Sequence, residues 1–422
     1  MARSRFAAVL VACALGTTAC GGAGATDTSA VDSTSTTITR PATTTGRPGM
    51  SDSLAGSETV RAQIDELMVQ AQQIRGLEFR EPVDVVLLND EDYQNRLREV
   101  FDEDLAQEDV DAINAYLRML GVIEPDEDFR VLLETLYTAG TGGFYRPESG
   151  ELVVRVVGEA LGPYSQSTVL HELVHALQDQ NFTLLDEMED LEGDDAFVAQ
   201  AIIEGDARLR EFTFVQALSR SQQAAYLEEI GGLLATLDTA ALDALPAYIR
   251  DSFQALYDDG FAFLQQVGID KVDQQFTDPP ESSEQLLEST KYRRDEQPRE
   301  VALPELDLPG YDIWFDATAG QKDLQLLLEE GVDMTRARQA AEGWGGDANR
   351  IYTSGAEEAV FVLRFAGDTK ADAEQLEAAF AEFVSAMVSS DAFSLVERAA
   401  DEVLVIVASD RSLGPQLAAA FS

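Results

Sequence analysis

Histidine is close to absent from this 422-residue chain, which holds two. Cysteine is as scarce: Cys13 and Cys20 both fall in the first twenty residues, and nothing after them carries a thiol. A disulfide framework and a cysteine-ligated metal site are therefore excluded beyond the leader. Positive charge is short too. Lysine occurs only at Lys271, Lys291, Lys322 and Lys370, and 30 lysines and arginines face 77 acids, for a formal charge of −47. Such a surface repels nucleic acid and anionic lipid head groups, so neither is an expected partner. It favours solubility, notably in salt, and is compatible with cationic substrates. No run approaches the roughly 18 apolar residues of a membrane span; VLVIVA at 403–408 has the length of a strand. Hydrophobic residues still make up 45% of the chain, enough for real cores, and the length suggests two or three domains.

What is present begins with the leader. MARSRFAAVLVACALGTTAC has a charged start at Arg3 and Arg5, then a short apolar core from Phe6 to Leu15. Small residues follow, ending in Ala19–Cys20. The stretch resembles a bacterial lipoprotein signal, which implies that Cys20 carries the lipid; Thr17 stands where the usual pattern has leucine. Residues 21–57 are Thr-, Ser- and Gly-rich and cannot bury enough surface to offset ordering, so they read as a disordered tether. The expected organisation is a signal at 1–20, a tether at 21–57, a main domain at 58–300 and a smaller α+β domain at 301–422. The body is expected outside a bacterial cell membrane, lipid-anchored, or secreted if not lipidated.

The body reads as mixed α and β. A first helix is expected over 58–78, a strand at 83–88, and helices to about 120. GFYRPESGELVVRVV, residues 143–157, reads as a hairpin around a Pro/Ser/Gly turn. Helices follow at about 165–181 and 194–219, with more to about 270, and a polar, proline-bearing stretch covers 277–310. Strand-like runs lie at 351–354, 359–366 and 402–408, with a helix at about 369–388.

The two histidines sit together in HELVHALQDQ, residues 171–180. Residues i and i+4 share one helix face, so His171 and His175 can hold one ion. Glu172 is turned about 100° away, out of ligating range but near a water beside that ion. There it can act as general base. Leu170, Leu173, Val174 and Leu177 supply the apolar contacts that fix the helix to a core. A catalytic zinc usually takes three protein ligands. With no third histidine, the third must be an acid: Glu187, Glu189, Asp190, Glu192, Asp194 or Asp195 in the loop, or Glu204, Asp206 or Glu211 on the next helix. The loop acids read as a solvated run. Glu204 follows Ile202 and Ile203, shares a face with Phe197 and Ala201, and so points toward apolar surroundings; a salt bridge to Arg208 is its competing role. Gly205, costly in a helix by about 1 kcal/mol, suits a close approach to a second helix.

HELVH followed by EGDA resembles the gluzincin metallopeptidases, and most nearly the peptidase MA-like proteins, over about residues 80–220. The resemblance implies a zincin-like domain, helix-rich with a small sheet. It implies Zn2+ held by His171, His175 and Glu204, Glu172 as base, and a peptide or protein substrate paired with the 143–157 hairpin. DPPESSEQLLESTKY (278–292) and GWGGD (343–347) also resemble segments of secreted relatives, with Glu288 where those have histidine and Ser289 where they have proline. Tyr292 remains there as a candidate oxyanion donor. In many gluzincins an acid four residues past the third ligand orients a histidine; here that position is Arg208, leaving Asp179 and Asp206 as candidates. A non-enzymatic zinc-binding surface lipoprotein is the alternative.

Overall fold

The computed structural model describes residues 44–45, 56–140 and 142–421. The expected signal, Cys20 and most of the expected tether lie outside them. Within the tether, Thr44–Thr45 forms a two-residue strand, β1. The protein is α+β, with 59% of it helical and two small sheets. No helix among the described residues is long and apolar enough to cross a membrane.

The first part runs α1 (Ser57–Arg75), β2 (Asp84–Leu88), α2 (Asp90–Asp104), α3 (Gln107–Leu120), α4 (Phe129–Gly140), β3 (Gly143–Arg146), β4 (Glu151–Arg155), α5 (Pro163–Asn181), α6 (Gly193–Ala217), α7 (Arg220–Thr236) and α8 (Ala247–Val267), then two short helices, α9 (Ser283–Leu287) and α10 (Ser289–Arg294). Its sheet has the order β1-β2-β4-β3. The first three strands are parallel, and β3 folds back antiparallel on β4 as the edge strand. Helix α5 packs against this sheet with α1 and α6 beside it. Leu170, Leu173, Val174 and Leu177 are fully buried in a cluster with Val85, Leu87, Leu152 and Val154. Burial of each such side chain stabilises by about 1.5–3 kcal/mol, which holds α5 in register over the strands.

The second part comprises β5 (Asp312–Ala317), α11 (Gly320–Glu329), α12 (Met334–Ala341), β6 (Trp344–Ser354), β7 (Glu358–Gly367), α13 (Lys370–Met387), β8 (Phe393–Ala399), β9 (Glu402–Ala408) and α14 (Gly414–Phe421). It forms an antiparallel sheet of order β5-β6-β7-β9-β8. Alternation along β7 serves both faces. Phe361, Leu363 and Phe365 join the cluster containing Phe380 and Phe383 of α13, while Val360 and Val362 join Ile406 and Phe421 on the other side. The larger cluster runs on through Tyr137, Phe144 and Phe253, so one core crosses residue 300.

The elements β1, α4, β5, α11, α12, β8 and α14 escape the sequence reading. Strand β6 also begins at Trp344, seven residues before the expected run, and the polar 277–310 stretch contains α9 and α10. Strands β5 and β8 are the sheet's two edges, and neither buries a continuous apolar face. Their pattern is weak for that reason.

Candidate metal site

Helix α5 starts with Pro163 at its first turn, where a missing N–H costs nothing. Its free N–H groups are met from outside. The Glu229 carboxylate of α7 accepts from Tyr164 N (2.9 Å) and Ser165 N (3.1 Å), and also from the Ser165 hydroxyl. From Ser167 to Gln178 the helix is buried on every side, unlike an amphipathic surface helix.

His171, His175 and Glu204 come together as a buried group able to bind a metal ion, one ligand atom from each lying within 4.8 Å of the others. Glu204 Oε2 lies 3.2 Å from His171 Nε2 and 3.4 Å from His175 Nε2. All three side chains are at most a tenth exposed. The glycine next to Glu204 explains how α6 reaches this point. A Cβ on Gly205 would lie 2.4 Å from the Gly260 carbonyl carbon of α8, and one on Gly260 would lie 1.7 Å from the Ala201 carbonyl oxygen. The two helices therefore touch backbone to backbone, as the glycine in the sequence suggests. The competing salt bridge is not formed: Arg208 lies 3.8 Å from Asp258.

The outer nitrogens of the imidazoles also face partners. Gln178 Nε2 donates to Ile203 O and to Asp206 Oδ2, both at 3.0 Å, which turns Gln178 Oε1 toward His175 Nδ1 at 2.8 Å. An acceptor there requires the Nδ1–H tautomer and leaves the Nε2 lone pair for a cation. Asp206 is fixed in turn by Arg75 Nε (2.6 Å) and Arg210 Nε (2.8 Å). His171 Nδ1 faces Glu211 Oε2 at 3.7 Å, and Glu211 Oε1 accepts from the Ser167 hydroxyl at 3.2 Å. Of the two acids left open by the sequence, Asp206 acts through Gln178. Asp179 instead accepts from the Tyr145 hydroxyl at 2.6 Å. Sequence reasoning missed Gln178 and Glu229. The sequence offers Glu211 as a ligand candidate, yet its place seven residues after Glu204, two turns along one face, is also a signal for a supporting role.

Glu172 is 1% exposed. Its Oε2 accepts from the Tyr145 N–H of edge strand β3 at 3.0 Å, while Oε1 has no hydrogen-bond partner. Burial pushes its pKa well up, helped by the Glu204 charge and opposed by His175 and the Tyr145 N–H. Burial alone would depress His171, but Glu204 and Glu211 outweigh it and hold the imidazole at about 9. His175 is raised too, against burial, chiefly by the Glu204 charge. Burial would raise Glu204; the two imidazoles overcome that and hold it at about 2. Glu211 is lowered against burial by His171. Three buried carboxylates thus share one pocket with two imidazoles. Burying such charge is costly unless a cation compensates it. His175 Nε2, which has no hydrogen bond, and the two further N/O donors form a group that could bind a metal ion.

Other expected residues lie elsewhere. Tyr292 accepts from Gln275 Nε2 at 3.0 Å and packs edge-on against Phe263; none of these described contacts is with the histidines. The ring that faces His171 is Tyr257, 5.9 Å away between centroids. Asp194 is a correction to the solvated-loop reading, being only 2% exposed. It opens α6 and accepts from Ser283 N at 2.8 Å. The two fainter motifs meet at this joint. Lys322 N donates to Ser283 Oγ (3.1 Å), Asp347 accepts from Ala319 N, Gly320 N and the Trp344 indole, and Lys291 joins Glu284 to Asp368. Those segments fasten the two parts together.

A family model described as a domain of unknown function, DUF8575, matches residues 312–414, which is the second sheet and its helices. No curated protein and no solved structure matches the chain.

Proposed function

We propose that the protein is a zinc-dependent metallopeptidase with a zincin-like domain, tethered through Cys20 to the outer face of a bacterial membrane. The observation that carries this reading is the placement of Glu172: buried beside two imidazoles and a carboxylate, with one oxygen tied to β3 and the other unpartnered. A site that used metal only for structure has no need of that carboxylate. The residues fit zinc: His171, His175 and Glu204 would hold it. When bound, zinc supplies Lewis acidity toward water and toward a carbonyl oxygen. Glu172 accepts a proton from the attacking water and returns it to the leaving amine. The Tyr145 N–H orients it for both transfers. Strand β3 is the last of its sheet among the described residues, the position at which an extended peptide would add as a further strand. Gln178 and Glu211 keep the imidazoles turned inward.

The test is Glu172→Gln in the full chain, assayed on a broad peptide library with zinc measured in parallel. The expected result is about one zinc per chain retained and cleavage lowered about 10²–10⁴-fold. Wild-type cleavage by the mutant would sink the mechanism and leave the metal site standing. Zinc retained with no cleavage in either form favours the non-enzymatic alternative. For the tether, Cys20→Ser is expected to move the protein from membrane to soluble fraction; a mutant that stays bound removes the lipid anchor.

A further inference from the structure

A cavity of about 140 Å³ lies where the two parts meet, apart from the histidines and Glu204, none of which lines it. Its walls come from α3, α4, α6, α8, β5, α11 and β6, and most are apolar, among them Phe129, Leu133, Phe197, Trp314 and Ile351. Protein interiors leave few voids larger than a water molecule, so a hollow of this size, ringed by aromatic side chains, is a departure that calls for a use. Its volume is close to that of a cavity that admits a benzene-sized ring, about 150 Å³.

Two polar residues interrupt the apolar lining without finding partners for all their atoms. Gln200 and Asn349 are 2% and 3% exposed, and Gln200 Nε2 and Asn349 Oδ1 make no hydrogen bond. Other polar groups in the wall have partners: Lys322 pairs with Asp259 at 2.6 Å, Asp323 accepts from the Tyr248 hydroxyl at 2.5 Å, and the Ser252 hydroxyl donates to Tyr248 O at 2.5 Å. An unmet donor and an unmet acceptor in a buried wall are costly. We propose that this cavity is a binding site for a small amphiphile with a benzene-sized apolar body and one hydroxyl or amide group. Such a group both donates and accepts, which matches what is unmet. A carboxylate only accepts and would sit in the same hollow as Asp323; an ammonium only donates. The site shares helix α6 with the metal group, Gln200 standing one turn before Glu204, and on α8 its lining residue Leu256 adjoins Tyr257, whose ring faces His171. Its existence does not depend on the metallopeptidase reading.

The experiment is thermal unfolding of the full chain across concentration series of benzyl alcohol, toluene and benzoate. Benzyl alcohol is expected to raise Tm saturably, by about 2 °C or more at tenfold excess over its Kd. Toluene is expected to raise it less, and benzoate not at all. Ser252→Phe, which fills the hollow, is expected to remove the rise, with Ala196→Leu as a second filling variant should the first fail to fold. Gln200→Leu is expected to bring toluene level with benzyl alcohol. No saturable rise with any probe, or an equal rise in a folded filled variant, would overturn the proposal and leave a cavity that holds water only. Equal responses to toluene and benzyl alcohol in the unaltered chain would overturn its polar half.

Discussion

Buried carboxylates among the described residues are treated in two opposite ways. Around His171, Glu204 is held at about 2 and Glu211 is lowered, because imidazoles outweigh the cost of burial. At the joint, burial wins. Asp194 is pushed up to about 8 by burial and the nearby Asp347, against hydrogen bonds from Ser283, and Asp347 is raised by burial despite three N–H donors. All four are carboxylates of similar burial, and what differs is the company; Glu172, beside the same histidines but bonded only by the Tyr145 N–H, is raised by burial like the aspartates at the joint. Basic side chains keep an acid charged and ready for a cation, whereas backbone dipoles leave it favouring its proton, where it serves as a clasp.

The largest effect should come from removing the basic half of the first group. His175→Ala is expected to reduce bound zinc from about one per chain to none by elemental analysis, as loss of one of three ligands implies. Glu204→Gln should weaken binding far more than Glu192→Gln, since Glu192 sits half-buried at the start of α6. Equal weakening by those two would remove Glu204 as a ligand. A smaller effect tests the outer partners. Glu211→Gln keeps the shape but not the charge facing His171, and zinc affinity by competition with a chelator should fall about 10–100-fold. An unchanged affinity would make Glu211 a packing residue.

The smallest effect belongs to the joint and appears as a pH profile. Asp194 has a folded pKa of about 8, above its ordinary 3.8. The folded chain therefore holds a proton that the unfolded chain releases. That contribution is complete below about pH 4 and is lost as pH rises through about 8. Asp194→Asn, which retains an acceptor for Ser283 N, should flatten the decline in Tm between pH 6 and 9 relative to the unaltered chain. Parallel declines in both proteins would show that Asp194 is charged in the folded state.

How far these two places could be read from sequence follows from how local their signals are. His171, Glu172 and His175 lie within five residues, so helix periodicity alone puts them together. Glu204 was reachable because its flanking isoleucines and Gly205 mark a buried, closely packed turn. Gln178, though inside the motif helix, gave no signal: its role rests on Asp206 and Ile203, which meet it only when α6 packs. The joint was nearly silent. Asp194 belongs to an acidic run that looks solvated, and its partners, Ser283 and the Thr318–Gly320 turn, are about 90 and 125 residues away. GWGGD does not read as the start of β6, because Gly345 and Gly346 mask the strand pattern. The same tertiary dependence hid β5 and β8.

The meeting of the only two histidines at one buried spot has a practical side. In most proteins an imidazole signal is a mixture from many positions. Here every histidine resonance in an NMR spectrum comes from the candidate site. Ring-nitrogen labelling of the unaltered chain would report tautomer, protonation and metal loading at one address, with no assignment by mutation. The chain is, in effect, its own reporter for the site it carries.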